Sequence, residues 1–417
     1  MPMKYADSQR FPFGAEDQIL GGSFGTLRKF EMVQEYCDPF IEALMREYDR
    51  SVVGHGTERK LLFARKSVKI SDRYHLALAE QEMLRMVSKI KGPPAENIVT
   101  LLACYTWRNE MHFVFPYIET DLFRLLRHEP VNDGPPWFNN QALPENKLWK
   151  EIVGVAHALS AIHTGMKNPF ERIHGEGKVF ACHFDLKPAN ILVTSDGKLK
   201  IGDFGHSHIQ IVDPKGKPKV MYRGGDPKYA APESRLPLEQ SEAWFQPHDD
   251  GAAPALKYDV WSLACIMTEV LVYLLNRQNP EEHPLAKFDE NLADKNQSLF
   301  SGRFFDQNGL KTCVRGAIEG LEHKFSPGSA LRQYMSNIVA LLLAMFQHHN
   351  DKRISSGGVL RELVSAEAAY EESRGFDALA FEMRQHPVPA DNAFKEIGWI
   401  PALPGNLSSE PVSFAKM

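Results

Sequence analysis

The fold of this chain is decided by the stretch His183-Phe184-Asp185-Leu186-Lys187-Pro188-Ala189-Asn190, which is followed thirteen residues later by Asp203-Phe204-Gly205. The two segments supply Asp185, one amide and one further carboxylate. Carboxylate and amide oxygens are ligands that Mg²⁺ accepts while it keeps other positions for water and phosphate. At this spacing the two segments predict a site that moves a phosphoryl group from a magnesium nucleotide.

The residues between the two segments predict a β-hairpin. Ile191-Leu192-Val193 is a short apolar run, Ser195-Asp196-Gly197 is a turn signal, and Leu199-Lys200-Ile201-Gly202 is the returning strand. Such a turn brings Asn190 and Asp203 into the same neighbourhood. The metal ligands of the predicted site therefore lie at one end of a hairpin.

These motifs resemble the eukaryotic protein kinase family, and the resemblance covers most of the chain. Strands and one helix are predicted up to about Leu122, and mostly helices follow, which is typical of an α+β fold in two lobes. The resemblance implies a protein-kinase-like fold with a small β-rich N-lobe and a larger helical C-lobe. The expected organisation is an N-terminal extension over 1–14, a kinase domain over 15–365 (N-lobe about 15–118, C-lobe about 119–365) and a partly docked tail over 366–417.

The lysine of the nucleotide site is predicted at Lys66. Phe63-Ala64-Arg65-Lys66 resembles the family's Val-Ala-Ile-Lys strand, although a lone lysine on a strand is by itself unremarkable. Residues 74–90 carry apolar side chains at helical spacing and contain Glu80. The resemblance implies that Glu80 pairs with Lys66 and holds it against the α and β phosphates, with Glu82 as the alternative partner.

The glycine-rich loop departs from the family pattern. In Leu20-Gly21-Gly22-Ser23-Phe24-Gly25, Gly22 and Gly25 align with the second and third family glycines, and Leu20 stands at the first. A rival loop, Gly54-His55-Gly56, lies closer to Lys66, but residues 20–25 better suit a hairpin tip that covers phosphates. The resemblance implies a nucleotide-binding set of Gly22, Gly25, Leu27, Ala64, Lys66, Glu80, Phe115, Pro116, Ile118 and Leu192.

The adenine pocket is expected beside the segment Met111 to Ile118, which resembles the fifth strand and the hinge of the family. Phe115 would close the back of the pocket, and backbone groups near Pro116 and Ile118 would bond the adenine edge. The carbonyl of Pro116 can do so because proline lacks only the N–H. Ala64 and Leu192 would sandwich the ring, although core packing explains each of these apolar residues equally well.

The resemblance also assigns the catalytic roles. Asp185 would accept or orient the proton of the substrate hydroxyl, and Lys187 would neutralise the transferring phosphate, which favours serine and threonine over tyrosine. Asn190 and Asp203 would hold magnesium, so the implied cofactors are ATP and Mg²⁺. The implied partner is an unidentified protein substrate.

In the C-terminal half of the chain, the three residues Glu233, Asp259 and Arg353 are expected to stabilise the C-lobe. Glu233, in Ala231-Pro232-Glu233, is expected to form a buried pair with Arg353. Asp259 opens an apolar helix that extends through Leu275, and in the family the equivalent carboxylate accepts backbone hydrogen bonds from the catalytic loop. The helix is too short for a membrane span and is interrupted by Glu269, so we expect it to be buried.

Three further departures concern the catalytic loop and its neighbours. Phe184 stands where the family has an arginine, Asp226 where serine/threonine kinases have a threonine, and Ala264 where a glycine is usual. A carboxylate at position 226 would lie near Asp185, and like charges raise the pKa of one partner. Because Phe184 offers no charge to a phosphorylated residue, we expect activity without phosphorylation of the activation segment.

The length, net charge and cysteine content of the chain exclude several classes of protein. The chain has 417 residues, a net charge of -5 and five dispersed cysteines without Cys-x-x-Cys spacing. We therefore expect no disulfide framework, no nucleic-acid partner and no membrane partner. The polar segment Met1 to Arg10 lacks an apolar signal core, which predicts an intracellular protein of the cytoplasm or the nucleus.

Three insertions are predicted relative to the family, over 31–58, with a helical stretch around 38–48, over 164–178 and over 236–256. The overall pattern resembles a divergent branch of kinases in filamentous fungi.

Two rival functions remain open from the sequence. One is a pseudokinase scaffold, favoured by Leu20 and Asp226. The other is a small-molecule phosphotransferase, disfavoured by the Ala-Pro-Glu motif that ends an activation segment.

Overall fold

The structure is a computed structural model that describes residues 3–11, 13–22, 25–33, 35, 37–46, 52–53, 60–127, 142–168, 177–212, 224–235, 255–276, 283–293 and 299–385. Its strands are β1 Met3–Lys4, β2 Phe13–Gly22, β3 Gly25–Val33, β4 Val52–Val53, β5 Lys60–Lys69, β6 Ala103–Trp107, β7 Glu110–Pro116, β8 Thr120–Asp121, β9 Lys178–Cys182, β10 Ile191–Val193, β11 Leu199–Ile201, β12 His208–Val212, β13 Phe305–Asp306 and β14 Gly309–Leu310. Its helices are α1 Pro39–Arg46, α2 Ile70–Val87, α3 Pro93–Glu96, α4 Leu122–Arg127, α5 Lys147–Thr164, α6 Leu256–Asn276, α7 Ala286–Leu292, α8 Thr312–Gly320, α9 Ala330–Met345 and α10 Ser356–Gln385.

The N-terminal part is built on one twisted sheet with the strand order β1-β6-β7-β5-β3-β2, in which β4 also pairs with β5. The main strands pair antiparallel, whereas β1 lies parallel to β6. Side chains of β5 alternate between faces, so Leu61 and Phe63 enter an aromatic cluster on one side while Val68 packs in the main core with Met83 of α2. Because of this alternation, the face of β5 that carries Val68 packs toward the helical part, and the opposite face packs in the aromatic cluster.

The N-terminal segment completes the edge of this sheet. Strand β1 lies alongside β6, and Tyr5 and Phe11 pack on Tyr105 with ring centroids 5.6 and 5.2 Å away. Phe11 also stacks on Phe13 of β2 at 5.1 Å. The residues predicted as an N-terminal extension therefore cover an edge strand, which otherwise exposes unpaired backbone groups.

The C-terminal part is helical and surrounds α6. Seventeen consecutive residues of this helix, Lys257 to Tyr273, are buried, and α5 and α9 pack against it. The expectation that this helix is too short for a membrane span was wrong, because its 21 residues are long and apolar enough by length and composition. The expectation of burial is confirmed, since 89% of the apolar window is buried inside the protein. It is therefore the core helix that the sequence predicts.

The predicted hairpin of the catalytic segment forms. Ile191, Leu192 and Val193 pair antiparallel with Ile201, Lys200 and Leu199, and β8 pairs with the other edge of β10. The turn between β10 and β11 is closed by the N–H of Gly197, which donates to the Thr194 carbonyl at 2.9 Å. The α+β fold with a β-rich N-lobe and a helical C-lobe is confirmed.

The less regular regions agree with the sequence where they are described. The helical stretch expected around 38–48 is α1, and the helix expected over 74–90 is α2. The rival glycine loop at 54–56, residues 169–176 and residues 236–254 lie outside the described residues. The chain divides into two compact units, Met1–Tyr370 and Glu371–Met417. In the second unit the described part is the helical segment 371–385, so the boundaries and docking of the predicted tail stay predictions.

Candidate active site

A cavity of about 710 Å³ lies between the sheet and the helical part, within the size range of small-ligand sites. All thirteen of the predicted site residues other than Gly22 line this cavity. These lining residues are Gly25, Leu27, Ala64, Lys66, Glu80, Phe115, Pro116, Ile118, Asp185, Lys187, Asn190, Leu192 and Asp203.

The glycine-rich hairpin covers one edge of the cavity. Gly22 ends β2 and pairs with Gly25 at the start of β3, so the loop between them has two residues, Ser23 and Phe24, which lie outside the described part. Gly25 has a φ of 136°, and a Cβ at this position would overlap the carbonyl oxygen of Ser67 on β5. Glycine is therefore required where the hairpin approaches β5.

Lys66 on β5 lies between two carboxylates. Its Nζ is 2.7 Å from Glu80 Oε1 on α2 and 2.7 Å from Asp203 Oδ1. Glu80 is buried, whereas the Asp203 side chain is 42% exposed and faces the cavity. Glu80, rather than Glu82, is the partner of Lys66, because Glu82 pairs with Arg85 on the same helix.

Burial and charge act in opposite directions in this group. Burial disfavours the charged form of Lys66, but Asp203 and Glu80 outweigh it and raise the pKa of the ammonium. Burial likewise opposes ionisation of Asp203, yet Lys66 lowers the pKa of that carboxyl well below its usual range. Burial raises the pKa of Glu80 against the attraction of Lys66. The group therefore holds a fixed ammonium and an ionised, partly exposed Asp203.

Close packing beside Lys66 explains the glycine of the Asp-Phe-Gly segment. A Cβ on Gly205 would lie 2.9 Å from Lys66 Nζ and 3.2 Å from Asp203 Oδ1. Asp203 itself adopts a left-handed φ of 52°, which L-residues rarely occupy. Its side chain accepts a hydrogen bond of 3.4 Å from the N–H of Gly205. The backbone strain at Asp203 thus coincides with the carboxylate that enters the cavity.

Asp185 is held from several sides. Its Oδ2 accepts from Asn190 Nδ2 at 2.9 Å and lies 3.0 Å from Lys187 Nζ. Its Oδ1 accepts from the backbone N–H of Asp226 at 2.9 Å. The side chain is buried but belongs to the cavity lining. A carboxylate fixed in this way can accept or orient the proton of a hydroxyl group that enters the cavity.

The donor set at Asn190 and Asp203 fits a hard cation. Within the described residues, the side chain of Asn190 uses only its nitrogen for hydrogen bonds, at 2.7 Å to the Asp185 carbonyl and 2.9 Å to its carboxylate. Its Oδ1 is therefore left as an acceptor beside the cavity. An amide oxygen and the ionised, partly exposed carboxylate of Asp203 match the oxygen ligands of Mg²⁺.

The start of α6 holds the catalytic loop, as expected. Asp259 Oδ2 accepts from the N–H of His183 at 2.7 Å, and Oδ1 accepts from the N–H of Phe184 at 2.8 Å. His163 Nε2 lies 3.0 Å from Asp259 Oδ2. These bonds hold Phe184 at a left-handed φ of 64° and thereby orient the following Asp185.

The departures at Phe184 and Asp226 have structural explanations. The Phe184 ring is buried and packs edge-on against Tyr258 at 5.3 Å, so an apolar contact stands where the family has a charge. Asp226 contacts Asp185 through its backbone N–H, and its carboxylate accepts from the N–H of Lys228 at 3.0 Å. The contact that Asp226 makes with Asp185 is thus a backbone hydrogen bond.

The expected pair of Glu233 and Arg353 is confirmed. Arg353 Nη1 donates to Glu233 Oε1 at 2.8 Å and Nη2 donates to Oε2 at 3.0 Å, with both side chains 0% exposed. The guanidinium also lies over the ring of Trp261, 5.2 Å from its centroid. This bidentate pair joins the end of the activation segment to the C-terminal helices.

Two features of the site were missed from the sequence. His206 Nδ1 lies 3.6 Å from Asp185 Oδ2, and burial lowers the pKa of this imidazole despite the neighbouring carboxylates. A second group of charges, on Arg127, Lys228, Glu269 and Asp289, lies behind the turn that contacts Asp185. The one signal for it in the sequence was Glu269, a charge within an apolar helix.

Comparisons with known proteins agree with this geometry. Residues 50–365 match the family model of the protein kinase domain. The chain is 27% identical over 262 residues to cyclin-dependent kinase-like 4 of Mus musculus, which covers 61% of this chain and 62% of the relative. It is 29% identical over 191 residues to cyclin-dependent kinase 2 of Caenorhabditis elegans, covering 45% of this chain and 41% of the relative.

A third relative is the serine/threonine-protein kinase SSN3 of Chaetomium globosum, 28% identical over 180 residues, which covers 42% of this chain and 28% of the relative. All three alignments span less than two thirds of the relatives' own length. The family model, in contrast, matches well over half of the 417 residues and includes Lys66, Asp185 and Asp203. With its two-lobed fold and the cleft assembled from these residues, the chain belongs to the eukaryotic protein kinase family.

Proposed function

We propose that the chain is an active serine/threonine protein kinase that uses ATP and Mg²⁺. The observation that carries this proposal is the joint presence, in one cavity, of an ion-paired Lys66, the acceptor oxygens of Asn190 and Asp203, and the fixed carboxylate of Asp185. Phosphoryl transfer depends mainly on positioning and electrostatic stabilisation, and these groups supply both.

Lys66 binds the phosphates in this proposal. Its ammonium is fixed by Glu80 from the buried side and is 2.7 Å from Asp203 on the cavity side. Because Asp203 is partly exposed, this ion pair can rearrange when a polyanion enters. Ala64 and Leu192 offer apolar surfaces for a base, and Phe115 closes the cavity beside them.

Asp185 accepts or orients the proton of the substrate hydroxyl. Asn190 and the N–H of Asp226 hold both carboxylate oxygens, so the acceptor does not have to be ordered again for each reaction. Lys187, 3.0 Å from the same carboxylate, places a positive charge where the transferring group would pass. Magnesium held at Asn190 and Asp203 would neutralise charge that develops on the phosphate oxygens.

The substrate class is proposed as serine or threonine in a protein. Lys187 supports serine and threonine, and one relative bears the name of a serine/threonine-protein kinase. The Ala-Pro-Glu segment, fixed by the Glu233–Arg353 pair, supports a protein substrate, because it ends a long activation segment. A small-molecule phosphotransferase does not need such a segment.

The test is a transfer assay with labelled ATP, magnesium and generic protein substrates, followed by identification of the labelled amino acid. We expect label on serine or threonine with the wild type. Asp185→Asn should keep magnesium-nucleotide binding but lower transfer by about 10²–10⁴-fold, the usual contribution of a general base or positioning group.

The outcomes separate the candidate functions. Equal transfer by wild type and Asp185→Asn would contradict the proposed mechanism. Nucleotide binding without transfer by the wild type would favour the pseudokinase scaffold. Label on added small molecules but on no protein would favour a small-molecule kinase.

A further inference from the structure

A compact group of charges lies behind the turn that contacts Asp185. Lys228 Nζ is 2.7 Å from Glu269 Oε1 on α6 and 2.8 Å from Asp289 Oδ1 on α7. Arg127 at the end of α4 binds the same two carboxylates, at 2.6 and 3.1 Å. The hydroxyl of Tyr229 donates to Glu269 at 3.1 Å. We refer to Arg127, Lys228, Glu269 and Asp289 as the anchor cluster.

The anchor cluster is balanced in charge and mostly buried, and its most exposed member is Asp289, whose side chain is 35% exposed. Glu269 is fully buried, and the side chains of Arg127 and Lys228 are 11% and 22% exposed. Burial opposes the charge of Asp289, but hydrogen bonds from Arg127 and Lys228 lower the pKa of its carboxyl. Two cations therefore face two carboxylates, and removal of either cation leaves the cluster with one uncompensated negative charge.

A short chain of hydrogen bonds leads from the anchor cluster to Asp185. The backbone N–H of Lys228 donates to Asp226 Oδ1 at 3.0 Å. The Asp226 carbonyl accepts from the N–H groups of Tyr229 and Ala230, each at 3.1 Å, which closes the turn. The N–H of Asp226 then donates to Asp185 Oδ1 at 2.9 Å. The orientation of the Asp226 N–H thus depends on a turn whose far end is held by the Lys228 ammonium.

We propose that Lys228 is a positioning residue, which anchors the turn 226–229 to Glu269 and Asp289 so that the Asp226 N–H holds the carboxylate of Asp185. This inference rests on the proposed transfer reaction for its kinetic consequence, but the anchoring itself is independent of activity. No group of Lys228 has to touch the substrate. Its ammonium acts through the turn, and the arrangement needs no modification of the activation segment.

The first experiment measures the anchor without activity. Hydrogen exchange of the backbone amides of Asp226, Tyr229 and Ala230 is compared in the wild type and in Lys228→Met. Lys198→Met is the matched control, because Lys198 also binds two carboxylates, Glu96 at 2.6 Å and Glu151 at 3.7 Å, on the hairpin side away from the cavity. We expect faster exchange in the turn for Lys228→Met and no change there for Lys198→Met.

The second experiment measures the consequence for transfer. We expect Lys228→Met to lower kcat by roughly tenfold while KM for magnesium ATP is unchanged, because the nucleotide contacts are made by other residues. Lys228→Arg should restore most of kcat, since a guanidinium can reach both carboxylates. Lys228→Met combined with Asp289→Asn restores the balance of charge but not the anchor, so its kcat should stay low even where its unfolding temperature recovers.

Specific results would overturn the inference. Unchanged exchange of the three amides in Lys228→Met would show that Lys228 does not anchor the turn, whatever the wild type does in the transfer assay. With an active wild type, equal kcat values for Lys228→Met and Lys198→Met would also overturn it. Recovery of kcat in the double variant would show that Lys228 only balances charge, and it would contradict the role of Lys228 as an anchor. An inactive wild type whose turn exchanges faster in Lys228→Met would reject the proposed function and keep the anchor.

Discussion

Two ion-pair sites in this protein are built from the same chemistry and differ in burial. In the cleft, Lys66 joins the buried Glu80 to Asp203, whose side chain is 42% exposed. At the end of the activation segment, Glu233 and Arg353 form a bidentate pair in which both side chains are 0% exposed. The first site opens into a cavity of about 710 Å³, whereas the second is enclosed by the helical core.

The difference indicates what each site does. A fully enclosed pair cannot exchange its partner for a ligand, so its contribution is to stability and to the path of the chain. A pair with one exposed carboxylate can exchange its partner for a phosphate or a cation at modest cost. Charges in the cleft should therefore control binding and transfer, and the enclosed charges should control folding.

The largest effect on stability is expected from breaking the enclosed pair. Glu233→Gln leaves the guanidinium of Arg353 buried without its anion, which should lower the free energy of unfolding by about 3–5 kcal/mol. The measurement is denaturant unfolding at neutral pH. Nucleotide affinity of the folded fraction should be unchanged.

The control for this variant is an exposed pair of the same kind. Glu319→Gln removes the partner of Arg315, one helical turn away at 3.7 Å, with side chains about half exposed. Its effect should be about 0.5 kcal/mol or less. Similar losses for the two variants would contradict the distinction between enclosed and exposed pairs.

A second effect on stability is expected from an enclosed histidine on the N-lobe sheet. His112 is buried, and its Nδ1 lies 2.8 Å from Ser67 Oγ. Burial, and to a smaller extent the positive charge of Arg65, lowers the pKa of His112 from 6.5 to about 4. Between these pH values the unfolded chain binds a proton that the folded chain does not. Stability should therefore fall as the pH drops from about 6.5 toward 4, by at most about 1.4 kcal/mol per pH unit from this group.

The measurement compares unfolding free energies against pH for the wild type and His112→Asn, whose amide oxygen can still accept from Ser67. The slope between pH 4 and 6.5 should be smaller in the variant. Identical slopes would mean that this histidine takes up protons equally in both states. His112 lies in the N-lobe, whereas the pair of Glu233 and Arg353 lies in the C-lobe. The result therefore also shows whether burial affects stability in the same way in both lobes.

The smallest effect is expected from phosphate removal. Ser207 is 1% exposed and donates to the Phe204 carbonyl, so it is not available to a modifying enzyme in this conformation. Tyr222, with the basic residues Lys215, Lys217, Lys219 and Arg223, lies outside the described part of the chain. Phosphatase treatment should leave the transfer rate unchanged, as should Ser207→Ala with Tyr222→Phe. A large loss that rephosphorylation restores would refute this prediction.

The sequence predicted the parts of the site that lie close together along the chain. The hairpin that carries Asn190 and Asp203 has the expected strands and turn, because these are encoded within a dozen residues. The pairs Lys66–Glu80 and Glu233–Arg353 join distant residues and were predicted through the family resemblance. Their residue types alone would not have selected these partners.

The parts that were missed depend on tertiary packing. The contact of Lys66 with Asp203 joins residues from the two lobes, and no local pattern encodes it. The Lys228 ammonium binds Glu269 and Asp289, which lie 41 and 61 residues further along the chain, so no local pattern selects these partners. A carboxylate on a buried helix face becomes interpretable only when the helices around it are known.

The account is tested most directly by the thermal shift that magnesium ATP produces, because Asp203 is the exposed carboxylate that distinguishes the cleft. At a ligand concentration of about 100 times Kd, binding should stabilise the wild type by about 2.7 kcal/mol, and less when magnesium is chelated. Glu119→Ala, which removes another carboxylate from the cavity lining, should keep the magnesium-dependent shift. Asp203→Ala should lose it, and an unchanged shift in Asp203→Ala would contradict the assignment of the metal and nucleotide site.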